Sequence, residues 1–123
     1  MQTLLDTNCL LRYLLDDIPD QADAVGRKIL EGACTAPEFL AECTYVLSGP
    51  VYGFSREDTA TALLSLLDEV DCDHHPSMQR ALELYRESRF DFADCILAAR
   101  YQVEGMPVLT FDKKLKRLIA SMQ

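Results

Sequence analysis

Short apolar segments alternate with longer stretches of helical periodicity along the whole chain, and this alternation limits the fold more than any other feature. The apolar segments that resemble strands are residues 2–6, 33–36, 70–75 and 106–111. The stretches between them repeat apolar residues every three or four positions, as amphipathic helices do. Strands that alternate with helices form parallel sheets covered by helices. The sequence therefore predicts an α/β three-layer sandwich with a short central parallel sheet of about four or five strands.

Start and stop signals predict seven helices between and after these strands. Asn8 is the expected cap of the first helix. Pro37 suits the first turn of the third helix, because the amide that proline lacks would be unpaired there. Ser55 and Asp58 resemble a capping box for the fourth helix, and Asp91 opens the sixth. The inward face of the sixth helix is predicted to carry Phe92, Ile96, Ala99 and Val103.

The composition is that of a globular protein. The chain has 123 residues, of which 49% are hydrophobic, and this is enough for one domain over residues 1–123. Five scattered cysteines, no membrane-length apolar run and no signal-peptide pattern favour a cytoplasmic protein without disulfides. The net charge of −8 disfavours a protein that coats nucleic acid. It is compatible with a nuclease whose carboxylates hold divalent cations.

Four carboxylates are distinguished by their positions in this pattern: Asp6, Glu42, Asp94 and Asp112. Asp6 and Asp112 each follow an apolar segment. Ligands of parallel sheets bind beyond the carboxyl ends of the strands, so we expect both residues at the same edge. A purely structural role is open for each of them. Asp6 and Asp112 could cap helices, and Asp94 could be the far member of a capping pair with Asp91.

Glu42 fits a structural role least well. On a helix its neighbours are Phe39 and Val46, which belong to the apolar side. No Lys or Arg occurs between residues 31 and 53 to pair with it, and an unpaired buried charge is costly. Carboxylates gathered at one edge repel one another and suit Mg²⁺ or Mn²⁺. A site of this kind is typical of phosphodiester hydrolysis by a metal-activated water.

Four segments of the chain together resemble a known family. The segments LLDTNCLLRYLL, APEFLAECTYVL, FDFADCILAA and VLTFDKKLKRL are similar in order and spacing to the PIN-domain ribonucleases. Within that family they resemble the VapC-type toxins of VapBC toxin–antitoxin pairs. The resemblance covers nearly the whole chain. It implies Mg²⁺- or Mn²⁺-dependent cleavage of RNA and a homodimer. In the toxin branch it also implies a VapB-type antitoxin whose tail blocks the site.

The resemblance also implies roles for individual residues. The acidic metal-binding residues of the family correspond to Asp6, Glu42, Asp94 and Asp112. Polar residues that order the site correspond to Asn8 and Thr110. Whether Glu42 is a metal ligand or a general base stays open at this point. The chain departs from the family pattern in two places. Gly49-Pro50 interrupts the third helix, and the chain ends soon after the last helix, which predicts four strands rather than five.

An acidic nuclease still needs cations to hold RNA phosphates. The densest basic segment is residues 113–117, directly after Asp112, and Arg12 lies one turn past Asn8. We therefore expect Arg12, Lys113 and Lys116 to contact RNA. The alternative is that they are solvated surface charges, as runs of charge usually are.

Three functions are compatible with these residues. The leading one is a metal-dependent endoribonuclease. The second is a response-regulator-like phosphoacceptor module, which should carry an acidic pair after the first strand, whereas Asp6 is followed by Thr7. The third is a PIN-like module that only binds other proteins, which the full set of four carboxylates disfavours.

Overall fold

The computed structural model describes residues 1–123 and contains seven helices and three short strands. The helices are Thr7–Leu15 (α1), Pro19–Glu31 (α2), Pro37–Ser48 (α3), Arg56–Leu67 (α4), His75–Glu87 (α5), Phe92–Glu104 (α6) and Lys113–Ser121 (α7). The strands are Thr3–Leu4 (β1), Ala33–Thr35 (β2) and Asp71–Cys72 (β3). The number of helices is as predicted, and the architecture is broadly α/β. None of the helices has the length and apolar character that crossing a bilayer requires.

The strands form one parallel sheet in the order β1-β2-β3. Thr3 pairs with Ala33, and Cys34 pairs with Asp71. The pairing continues one residue beyond β1, because the amide of Leu5 donates to the carbonyl of Cys34 at 2.8 Å. The chain therefore leaves the carboxyl end of β1 at Asp6, which is the edge that the sequence predicted for this residue.

The predicted sheet of about four or five strands is wrong, because the structure has three. Residues 106–111 form no strand, and no backbone hydrogen bond joins them to β1. Leu109 and Phe111 are each 84% exposed. The apolar composition of this segment suits a strand. A strand, however, forms only where a partner edge accepts it, and this is decided by tertiary packing.

The core lies between the helices and one side of the sheet and contains 24 buried hydrophobic residues. Helices α4, α5 and α6 pack consecutively against one another. Tyr85 and Phe92 join α5 to α6 through an edge-to-face contact with ring centroids 6.0 Å apart, a favourable geometry for aromatic pairs. This packing fixes the first turn of α6, which carries Asp94.

Two local predictions are also wrong. Val103 was expected to face inward, but it is 44% exposed. α5 reaches the last turn of α6 at Gln102 and Glu104 instead, through the side chains of Arg80 and Ser77. Asn8 was expected to cap α1, but the cap is Asp6. Asn8 is instead the second residue of the helix. The strand ends at Leu4, two residues earlier than predicted, and α1 begins at Thr7, so the carboxylate of Asp6 reaches the free amides.

Candidate functional site

A cleft of about 490 Å³ lies between α1 and α3, beyond the carboxyl end of β1. The carboxylates of Asp6 and Glu42 both line it. Their proximity is also apparent at the buried thiol of Cys43. Burial raises the pKa of Cys43 to about 12, and the negative charges of Glu42 and Asp6 contribute to the increase. The structure therefore brings the first and second predicted site residues into one cavity.

Asp6 is held in place by its role as a helix cap. Its Oδ1 accepts a hydrogen bond from the amide of Cys9 at 2.9 Å, and the hydrogen bonds from Cys9 lower the pKa of Asp6. The hydroxyl of Thr7 donates to the carbonyl of Phe39 at 3.3 Å, which ties the start of α1 to α3. Asp6 is exposed and forms no ion pair. Capping therefore fixes its position and leaves an ionised carboxylate at the cleft.

Glu42 is exposed, so the expectation that it borders a buried stripe is wrong. Leu40, Cys43 and Leu47 form the buried face of α3, whereas the neighbours of Glu42 in the cleft wall are only partly buried. No desolvation penalty demands a partner for this carboxylate. Glu42 is a candidate site residue because it lines the same cleft as Asp6.

The other two predicted carboxylates form a second pair. Asp94 is half-buried in the first turn of α6, and Asp112 caps α7 by accepting the amide of Leu115 at 2.9 Å. Burial raises the pKa of Asp94, and the negative charges of Asp112 and Asp91 raise it further. The hydroxyl of Thr110 accepts the amide of Asp112 at 3.2 Å. Thr110 thus orders the backbone at this carboxylate.

The two pairs do not form one complete cluster. No group of three or more His, Cys, Asp or Glu side chains is close enough together to hold a metal ion. Asp112 follows segment 106–111, which forms no strand and has no backbone hydrogen bond to β1. The four carboxylates nevertheless have the kind of oxygen atoms that bind divalent cations. All four groups are hard oxygen donors, and none forms an ion pair with Lys or Arg.

The predicted RNA-contacting residues lie in two places. Arg12 lines the cleft beside Asp6, with its guanidinium 2.6 Å from the carboxylate of Asp17. Asn8 also lines this cleft. Lys113 and Lys116 are exposed on α7, and the Nζ of Lys116 lies 5.8 Å from the ring centroid of Phe111. Only Arg12 therefore shares a cavity with a predicted carboxylate.

The sequence reasoning missed three residues near these carboxylates. Phe39 and Tyr52 line the cleft, and Asp91 contributes charge at Asp94. Asp91 was considered only as a helix start, although its spacing from Asp94 places both on the same turn. Tyr52 follows the Gly49-Pro50 break, and no local pattern indicated that its loop returns to the cleft.

We expect Asp112→Asn to lower the pKa of Asp94, because the substitution removes a repelling charge. Asparagine caps helices as well as aspartate does, so α7 should remain intact. In the wild type, the carboxyl group of Asp94 binds its proton more tightly in the folded state than in the unfolded chain. Above this raised pKa, the charged form of Asp94 lowers the stability of the folded protein. The loss of stability disappears as pH falls through the raised pKa towards the ordinary aspartate value of 3.8. The variant should show a weaker pH dependence of stability in this window.

Carboxyl-carbon NMR titration measures the change directly. Asp91→Asn is the matched comparison and should lower the pKa of Asp94 less, since Asp91 contributes less than Asp112. An unchanged pKa of Asp94 in Asp112→Asn would show that the two carboxylates do not interact.

Comparisons with known proteins place the chain in a family. A search of curated proteins and a search of solved structures each found no match. The family profile described as "PIN domain" matches residues 3–120 and so includes both carboxylate pairs. Because this match spans nearly the whole sequence, the chain belongs to the PIN domain family, whose members are generally metal-dependent nucleases.

Proposed function

We propose that this protein is a metal-dependent endoribonuclease that hydrolyses RNA phosphodiesters. The observation that carries the proposal is the presence of two carboxylate pairs without cationic partners on a PIN domain. Burial raises the pKa of Asp94, and the negative charge of Asp112 raises it further; a bound cation would favour the charged form of both carboxylates. Membership of a family of metal-dependent nucleases supports the same conclusion.

Asp6, Glu42, Asp94 and Asp112 are the residues that would hold Mg²⁺ or Mn²⁺. A divalent cation supplies, when bound, charge neutralisation at the scissile phosphate and a lowered pKa for a water molecule. Asp6 remains ionised because the amide of Cys9 stabilises its carboxylate. Glu42, exposed in the same cleft, either ligates the cation or orients the attacking water as a general base. Asn8 at the cleft and Thr110 at Asp112 order the site.

More specifically, we propose that the protein is a VapC-type toxin of a type II toxin–antitoxin pair. The proposal includes a homodimer acting on cytoplasmic RNA and a cognate VapB-type antitoxin that blocks the cleft. It is supported by the four segments that resemble the toxin branch.

No feature of the structure supports the response-regulator-like alternative. The residue after Asp6 is Thr7, which is buried and donates its hydroxyl to the carbonyl of Phe39. It provides no second carboxylate at the end of β1. The binding-module alternative predicts a folded protein without cleavage activity, and the assay below distinguishes it.

Purified protein should cleave an RNA pool with Mg²⁺ or Mn²⁺ and should be inactive with EDTA. Asp94→Asn should reduce the rate by about a hundredfold or more, since even outer-shell partners of a metal site contribute tenfold to hundredfold. The matched control is Asp20→Asn, which alters an acidic residue in the first turn of another helix, α2. Cleavage that persists in Asp94→Asn at the wild-type rate would contradict the assignment.

Arg12→Ala combined with Lys116→Ala should weaken RNA binding and reduce its salt dependence. Each lost phosphate contact should lower the slope of log affinity against log salt by about 0.7 for a single strand. Fluorescence anisotropy at several salt concentrations measures both quantities. Lys28→Ala removes an exposed cation on α2 and is the control. Equal slopes in the double variant and the control would mean that these cations are surface charges only.

Expression of the wild-type chain in bacteria without an antitoxin should arrest growth, because a toxin of this type removes essential RNA. The Asp94→Asn variant, produced at the same level, should allow growth. An active nuclease that leaves growth unaffected would favour a housekeeping role over a toxin.

A further inference from the structure

The loop of residues 49–54, here called the 49–54 loop, follows the break in helix periodicity at Gly49-Pro50. It folds back onto the end of α3 through two backbone hydrogen bonds. The amide of Gly53 donates to the carbonyl of Gly49 at 2.8 Å, and the amide of Phe54 donates to the carbonyl of Leu47, also at 2.8 Å. Gly53 has a φ of 62°, which glycine adopts without strain. Phe54 then packs against the core. The loop is therefore anchored at its end.

This anchored loop places Tyr52 in the cleft that contains Asp6 and Glu42. The Tyr52 side chain is only partly buried. Arg12 lines the same cleft, and its raised pKa is due first to the nearby hydroxyl of Tyr52. The guanidinium itself donates to the carboxylate of Asp17 at 2.6 Å. Tyr52 thus shares the cleft with its one cation and with both carboxylates.

Phe39 is the other aromatic residue of the cleft, and it is also partly buried. The cleft therefore combines two accessible aromatic side chains, a guanidinium and two carboxylates. Its volume of about 490 Å³ lies within the range of small-molecule sites. Aromatic rings bind the faces of unpaired bases, whereas arginine binds phosphate. These groups suit one nucleotide with its base on the ring and its phosphate near Arg12.

We propose that Tyr52 is a specificity-determining residue that stacks against an unpaired base of the RNA and positions Arg12 at the adjacent phosphate. This inference rests on the proposed ribonuclease function and identifies the substrate feature that the site reads. A base within a duplex is already stacked on its neighbours and cannot occupy the cleft without being extruded. The cleft therefore selects an unpaired nucleotide next to the scissile bond.

Binding of a single-stranded RNA that contains 2-aminopurine tests the stacking contact, because stacking quenches this fluorescent base. The protein carries Asp94→Asn so that the RNA stays intact. In this background, Tyr52→Ala should weaken binding by roughly fivefold to a hundredfold and should abolish the quenching. Tyr52→Trp should restore both. The matched control is Tyr45→Ala, since Tyr45 is 55% exposed on α3 outside the cleft, and its affinity should equal that of the Asp94→Asn parent.

The active enzyme provides a second readout that a merely structural role would not produce. With a single-stranded substrate, Tyr52→Ala should raise KM more than it lowers kcat, and the preference for single strands over a matched duplex should shrink. Tyr52→Phe keeps the ring and removes the hydroxyl beside Arg12, so it should retain the quenching and raise KM by a smaller factor. Unchanged circular dichroism and thermal midpoints would show that the variants fold.

The outcomes separate this inference from the proposed function. Cleavage, affinity and quenching that are the same in Tyr52→Ala and in its parent would overturn the stacking role and leave the nuclease intact. Quenching that depends on Tyr52, in a protein whose wild type cleaves no RNA, would overturn the nuclease and leave the base-binding cleft. A wild-type protein that binds no RNA would overturn both.

Discussion

The pairing of β1 with β2 positions Asp6 and, through it, the cleft of the candidate site. β1 is a very short strand and would not persist alone. It is held by the amide of Thr3, which donates to the carbonyl of Gly32 at 3.2 Å, and by the bond from Leu5 to Cys34. The hydroxyl of Thr35 donates to the carbonyl of Leu5 at 3.0 Å. These bonds place Asp6 at the edge of the sheet, where it caps α1 and lines the cleft.

Burial of Asp94 close to two other carboxylates is the main electrostatic feature of the site. Burial raises the pKa of Asp94 most, and the negative charges of Asp112 and Asp91 raise it further. A surface designed only for stability would place a lysine or arginine there, or would space the acids apart. The protein retains the repulsion, as functional sites often retain features that lower stability. This is the physical basis for the proposed cation site, although no three of the carboxylates lie close enough together to hold one cation.

The 49–54 loop shows how a break in a helix can serve a site. α3 ends at Ser48, directly before Gly49-Pro50. The backbone then turns through Gly53, and Tyr52 reaches the cleft on the way back to the core. The loop therefore provides the aromatic ring beside Arg12 that the proposed base recognition requires.

The sequence by itself determined the seven helices, the short strand that precedes Asp6, and the segments that identify the PIN domain family. These follow from periodicity, caps and residue order, which are local properties of the chain. Tertiary structure alone decided that residues 106–111 have no partner edge. It also decided that Glu42 lies exposed on a cleft wall, and that Tyr52 and Arg12 line the same cleft. Each of these depends on which surfaces residues distant in sequence cover, and no local pattern encodes that information.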